Sequence, residues 1–234
     1  MSIESKNIIS QVKSAYNKIA DKFSQTRARN WLSVKHLIDY VKPGDFVLDL
    51  GCGNGRLYQL LEDKSIVYAG FDISRELIEI ARQTYKNLPN VEFIIGDMSQ
   101  GLPFENDFFN LTYMIASFHH LPKSEDRIAL LQELKRVSKD GAYLIMTNWN
   151  LAHPEFQKRY DLNLTQKDFK IPWKDNLGQV LEKRYYHLFD QAELAELFKK
   201  VDLEIIDQYY IGRGGERVEK LTGVNLVSIL KINK

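Results

Sequence analysis

Apolar positions recur first at a helical period and then in short runs parted by helical stretches. Ile8, Ile9, Val12, Tyr16, Ile19, Ala20 and Phe23 fall on one helical face, and Trp31, Val34, Leu37, Ile38 and Val41 form a second stripe after a polar break at 24–30. Two helices are therefore predicted over residues 7–40, closed by Pro43 and Gly44. From residue 46 the pattern changes. Residues 46–50 form an apolar run broken by one carboxylate, Asp49, and read as a buried strand. Residues 66–71, 91–95, 109–115 and 141–148 read as further strands, with helices predicted at 56–62, 75–86 and 124–138. This alternation predicts a doubly wound, mostly parallel sheet. A helix at 190–200 and two last strands, 203–211 and 221–232, close the chain. Residues 150–187 break the rhythm with aromatics and scattered Lys and Arg, and are expected to form an insertion over the ligand edge of the sheet. One domain covers the chain on this reading.

The first strand runs into Gly51, Cys52, Gly53, Asn54 and Gly55, and a helix is predicted next. Strand, glycine turn and helix begin a nucleotide-binding α/β unit. The glycines alternate, unlike the G-x-G-x-x-G of dinucleotide sites, and the Lys and Ser/Thr of a phosphate-binding P-loop are missing. A carboxylate just ahead of this turn, Asp49, would repel a pyrophosphate. It suits a cofactor carrying positive charge, such as S-adenosylmethionine (SAM), which bears a sulfonium and an ammonium.

Composition narrows the setting. The chain has 234 residues, enough for a sizeable core. It has no apolar run near 18 residues and no apolar signal segment at its start, so a membrane span is not expected and a cytoplasmic location is. A single cysteine excludes an internal disulfide and a cysteine-based zinc site. Net charge is +1, but residues 1–44 hold eight Lys/Arg against three Asp/Glu, while residues 45–150 hold ten against fifteen. A basic leading segment on an acidic core hints at an anionic partner; a solvated helix face explains it equally well.

Three further places carry candidate chemistry. Asp72 ends the second strand, 21 positions after Gly51, where this kind of fold puts an acid on ribose hydroxyls. It or Ser74 could instead cap the following helix. Asp97 ends the third strand. The fourth runs into Ala116, Ser117, Phe118, His119 and His120, at the carboxyl edge where ligands bind. His119 is the expected substrate contact, and His120 is either that or a structural histidine. No acid–histidine helix motif accompanies them, so no metal is expected.

Residues 47–55 resemble the first motif of class I SAM-dependent methyltransferases. Tyr16, Ile19, Ala20, Phe23, Thr26, Arg27 and Trp31 ahead of it, and residues 184–189 near the C-terminus, resemble the tRNA wobble-uridine carboxymethyl methyltransferases, which methylate the carboxylate of 5-carboxymethyluridine. The resemblance implies a Rossmann-like fold with a seven-stranded sheet, mostly parallel, whose last strand inserts antiparallel. It implies a cofactor set of Tyr16, Arg27, Trp31, Asp49, Gly51, Cys52, Gly53, Asn54, Gly55, Asp72, Ile73, Asp97, Met98 and Ala116. Asp97 would take the adenine amino group, Met98 would pack on the ring, and Arg27 would meet the SAM carboxylate under a helical lid formed by residues 1–44. It also implies tRNA as substrate, with a small activator protein as an added partner. The Arg-Asp-Asn-Trp-like segment near the end of that family has no full counterpart here; Asn225 and Leu226 come nearest, without a tryptophan. A small metabolite is the alternative acceptor, and a SAM-binding module without activity is the third reading. A carboxylate acceptor needs no general base, in keeping with the lack of an Asp–His or Cys–His constellation; a hydroxyl acceptor would call on His119.

Overall fold

A computed structural model describes residues 1–26 and 31–234. Helix α1, Ile3–Thr26, is longer than the first stripe alone predicts and buries Ile9, Val12, Ala15 and Ile19. The second stripe forms 3-10 turns over Leu32–Tyr40 that bury Val34 and Leu37. Then come β1 (Phe46–Leu50), β2 (Val67–Asp72), α2 (Arg75–Thr84), β3 (Val91–Ile95), β4 (Phe109–Ile115), α3 (Ser124–Val137) and β5 (Ser138–Trp149). The stretch after the glycine turn is only a short 3-10 segment, Arg56–Leu60, not the full helix predicted there. The predicted insertion holds a short helix, α4 (Pro154–Tyr160), and a hairpin of β6 (Asp168–Lys174) and β7 (Val180–His187). Helix α5 (Gln191–Lys200), β8 (Leu203–Ile211), β9 (Arg217–Val218) and β10 (Asn225–Ile232) complete the chain.

The main sheet runs in the order β3-β2-β1-β4-β5-β10-β8-β9. Strands β1 to β5 pair in parallel, and β10 inserts antiparallel between β5 and β8. The expected seven strands become eight because two-residue β9 adds an outer edge against β8. The predicted last strand starts later than expected, at Asn225, since Leu221 to Gly223 lie in a turn in which the Gly223 N–H meets the Glu219 carbonyl.

Two apolar layers cover the two faces of this sheet. One packs α3 and α5 with Leu48, Leu50, Met114, Leu144 and Leu230, and stacks Phe118 on Phe189. The other packs the 3-10 turns and α2 with Val47, Tyr68, Tyr113, Ile145 and Ile229. Strands that read as near-continuous apolar runs are what burial on both faces requires. Helix α1 lies against α2 and β7, so the hairpin and the leading helix meet above the carboxyl ends of β1 and β4. Among the described residues no helix is long and apolar enough to cross a membrane.

Candidate functional site

The site begins with the loop after β1. Gly51, Gly53 and Gly55 all take positive φ, at +82°, +57° and +76°. Their reasons differ. A Cβ on Gly53 would meet only Phe23 at 3.7 Å and Leu77 at 3.9 Å, so that position borders open space. A Cβ on Gly55 would strike the Phe93 and Tyr85 rings at 2.8–2.9 Å, so Gly55 serves the packing of the turn on β3. Cys52 is buried, which pushes its thiol well up, and it fills the turn as a small apolar side chain.

Three acids follow from three strands. Asp49 is 2% exposed and accepts a 2.6 Å hydrogen bond from the Tyr68 hydroxyl. Burial, with Asp72 nearby, lifts its carboxyl to about 7, against the pull of that hydrogen bond. Asp72 accepts from the Gly53 and Ser74 N–H groups, each at 2.8 Å, while Ser74 itself caps α2 at the Leu77 N–H. Of the two candidates for the cap, Ser74 is the one that caps α2, while Asp72 ties the glycine turn to β2. Asp97 accepts from the Ser99 N–H at 2.9 Å and from its hydroxyl at 2.6 Å.

The end of β4 forms the opposite wall. Ala116 sits at φ +57°, unusual for a residue with a Cβ, and its N–H is held by Thr147 through the carbonyl at 3.0 Å and the hydroxyl at 3.1 Å. Ser117 donates to the Leu50 carbonyl at 2.7 Å, linking the β4 and β1 loops. Phe118–His120 is one 3-10 turn, whose consecutive side chains point about 120° apart. His119, the expected substrate contact, accordingly points inward: it is 0% exposed and stacks on Tyr186. His120, its neighbour, is the one that faces the cavity. Its Nδ1–H donates to the Tyr185 carbonyl at 2.6 Å, which leaves Nε2 as an acceptor for the Tyr16 hydroxyl at 2.9 Å. Burial pushes this imidazole down to about 3, so it is neutral at physiological pH.

Around these walls lies one cavity of about 1130 Å³, solvent mouth included. Tyr16, Trp31, Asp49, Gly51, Cys52, Gly53, Asn54, Asp72, Ile73, Asp97, Met98 and Ala116, all anticipated from sequence, line it. Gly55 does not. Arg27 falls outside the described residues. The far wall, formed by Ser117, Trp149, Arg184 and Tyr186 with His120, is not among the residues expected from sequence to hold the cofactor. Its residues come from β5, the hairpin and a loop, and the only sequence signal was the family-like segment at 184–189.

The donors suit SAM. The open space beside Gly53, part of the cavity, would be narrowed by any larger side chain. Asp49 is a buried acid whose hydrogen bond comes from a neutral phenol, and among the described residues no cation pairs with it. Asp72 keeps acceptor capacity beyond its two backbone bonds.

Comparison with known proteins agrees. Residues 47–141 match the model of a methyltransferase domain. A Schizosaccharomyces pombe tRNA (carboxymethyluridine(34)-5-O)-methyltransferase is 28% identical over 232 residues, covering 90% of this chain and 95% of the relative. An Arabidopsis thaliana protein of the same description is 34% identical over 134 residues, 57% of this chain, but the chain spans only 31% of its length. Among solved structures, a Methanosarcina mazei SAM-dependent methyltransferase superposes with TM-score 0.66 at 25% identity, covering 85% of this chain and 97% of that one. A Haloferax volcanii methyltransferase, solved with the Trm112 activator, gives TM-score 0.72 at 21% identity over 95% of this chain and 98% of the other, a likeness of fold.

Proposed function

That this chain is a SAM-dependent methyltransferase of Rossmann-like fold is the premise from which we propose its acceptor: the carboxylate of a 5-carboxymethyluridine at the wobble position of tRNA. The observation that carries the reading is the state of His120. It is the cavity-lining imidazole, yet both its nitrogens are engaged, one by the Tyr185 carbonyl and one by the Tyr16 hydroxyl. It is also held far below the range of a working base. The far wall therefore offers no ready proton acceptor, which suits an acceptor that is already ionised. When bound, SAM supplies an electrophilic methyl on sulfur; a carboxylate oxygen that takes it leaves the carbon–sulfur electron pair on sulfur and gives up no proton.

The chain's own residues hold and exclude. Asp49, Asp72 and Asp97 would hold the ammonium, ribose and adenine ends. Helix α1, through Ile9, Val12, Tyr16 and Phe23, would close the cavity from above and keep water out. Exposed Lys170 on β6 and the aromatic hairpin suit the splayed bases and phosphates of an anticodon loop. The S. pombe relative's description supports this acceptor. The H. volcanii structure supports a small activator as a binding partner, and a tRNA acceptor requires a compartment that holds tRNA.

The test uses methyl-labelled SAM with tRNA bearing 5-carboxymethyluridine, unmodified tRNA, and a small-molecule extract, each with and without a Trm112-type activator. Label is expected in the first tRNA as an alkali-labile ester. Label in the extract alone would make the acceptor a metabolite.

A further inference from the structure

Arg184 is the cation on the far wall, and it is 3% exposed. A guanidinium taken out of water normally carries a carboxylate with it. This one does not. Among the described residues, the groups felt most strongly by Arg184 are tyrosines 16, 160 and 186, and no acid pairs with it. Its Nε has no hydrogen-bond acceptor, and Nη1 reaches only the Tyr16 hydroxyl, at 3.4 Å. Three ring faces surround it: Trp173 at 5.0 Å, Tyr186 at 5.2 Å and Tyr16 at 5.6 Å from Cζ. These rings favour a cation but accept no planar N–H fork. The fork faces the same cavity as His120 and Trp149.

We propose that Arg184 receives the carboxylate of the methyl acceptor, and so makes the enzyme read the acceptor's charge. This rests on the function proposed above and names the residue that selects its substrate class. Two carboxylates could reach a guanidinium here, that of the acceptor and that of the SAM methionyl group. Position favours the acceptor. Arg184 lies on β7 and packs with residues at the ends of β4 and β5, whereas the glycine turn and the three acids that suit SAM lie at the ends of β1, β2 and β3.

The hydrogen bonds around Arg184 run one way. Arg184 donates to the Tyr16 oxygen, Tyr16 donates to His120 Nε2, and His120 Nδ1–H donates to the Tyr185 carbonyl. This chain fixes the Tyr16 hydroxyl and leaves the remaining guanidinium N–H groups for an anion. An acceptor carboxylate held by one oxygen keeps lone pairs for attack. Once the oxygen–methyl bond forms, the group is a neutral ester and Arg184 loses its counter-charge, so product binds more weakly than substrate. Pairing that stabilises the anion before reaction lowers KM more than it raises kcat. Arg184 is thus a binding and specificity residue.

The test compares wild type, Arg184→Met and Arg184→Lys. Methionine suits the ring cage, and SAM affinity together with thermal stability reports whether each variant is folded. Two tRNAs serve as probes, one with 5-carboxymethyluridine and one with its neutral 5-carbamoylmethyl analogue as competitor. Arg184→Met is expected to raise the acceptor KM roughly ten- to a hundredfold, the range for hydrogen bonds to a charged group. It should change kcat only a few-fold, abolish the preference for carboxylate over amide, and leave the SAM dissociation constant unchanged. Arg184→Lys should keep part of that preference, and carries the same test should the methionine variant not fold. An unchanged KM and unchanged preference in a folded variant overturns the proposal. A loss of SAM affinity without a change in preference also overturns it, and gives Arg184 to the cofactor carboxylate. If wild type methylates neither tRNA, the tRNA reading fails by itself. Arg184 is then judged by competition between phenylacetate and phenylacetamide against labelled acceptors, where an Arg184-independent preference sinks it.

Discussion

Asp49 is the residue most sensitive to what the cavity holds. With its carboxyl lifted to about 7 in the folded chain, the ligand-free protein gains stability from it below the ordinary carboxylate pKa and loses that contribution as pH rises through about 7. A bound cation reverses the preference and ionises the group. SAM binding is therefore expected to release up to about one proton near pH 6–7, and its affinity to rise with pH to a plateau above about pH 8. Calorimetry in buffers of different ionisation enthalpy measures the proton; Asp49→Asn, which still accepts from Tyr68, should abolish both effects. The glycines separate in a similar way. Gly55→Ala strains φ and overlaps two rings, and should cost about 2–4 kcal/mol, a fall in Tm of roughly 5–15 °C. Gly53→Ala should cost only about 1–2 kcal/mol yet weaken SAM binding, because its methyl enters the cavity. Thermal melts with and without SAM distinguish the two, and equal melting losses would contradict the packing described. The sequence motif shows the three glycines as one signal; only the positions of Phe93 and Tyr85 reveal that Gly55 answers to the core.

At the scale of elements, legibility follows the range of the contacts. Strands β3 and β4 are found at the predicted bounds because each is a short apolar run between turn residues. The β6–β7 hairpin carries no clear strand pattern in the sequence. Its alternation of Phe169 and Ile171 with Lys170 is interrupted by Pro172, and its buried partners are α1, His120 and Trp149, far away in sequence. Arg184 and Tyr186 were visible as part of a family-like segment, but their place opposite Asp49 required that hairpin to be seen. The hairpin also sets apart two of the insertion's lysines, Lys167 and Lys170. Lys167 is paired with Asp190 at 3.1 Å and Glu193 at 2.7 Å, and Glu193 also holds His187 at 2.7 Å. It ties the hairpin to α5, while Lys170 is exposed on β6. Lys170→Ala alone is expected to lower the salt dependence of tRNA binding by about one unit of slope, with melting unchanged. Lys167→Ala should leave that slope in place, because its charge is already matched. Filter binding across a salt series decides between them, and equal slopes for wild type and Lys170→Ala would remove Lys170 from the RNA surface.

For the whole molecule, the proposed function makes the parallel half of the sheet the cofactor wall, and the hairpin with α1 the acceptor wall. The first half is contiguous in sequence and matches a general methyltransferase domain; the second is assembled from α1, the ends of β4 and β5, and the hairpin, which lie far apart along the chain. That division is why SAM was legible early and the acceptor late. The wedging of β10 between β5 and β8 also sets an order on synthesis. Residues 138–149 leave the ribosome some eighty residues ahead of the strand that will pair with their free edge, at 225–232. Until then Leu144, Ile145 and Met146 lie on an unpaired flank, a template for any passing strand. The nascent chain is thus open to aggregation while the stretch between these two strands is made, and chaperones have their clearest reason to bind it there.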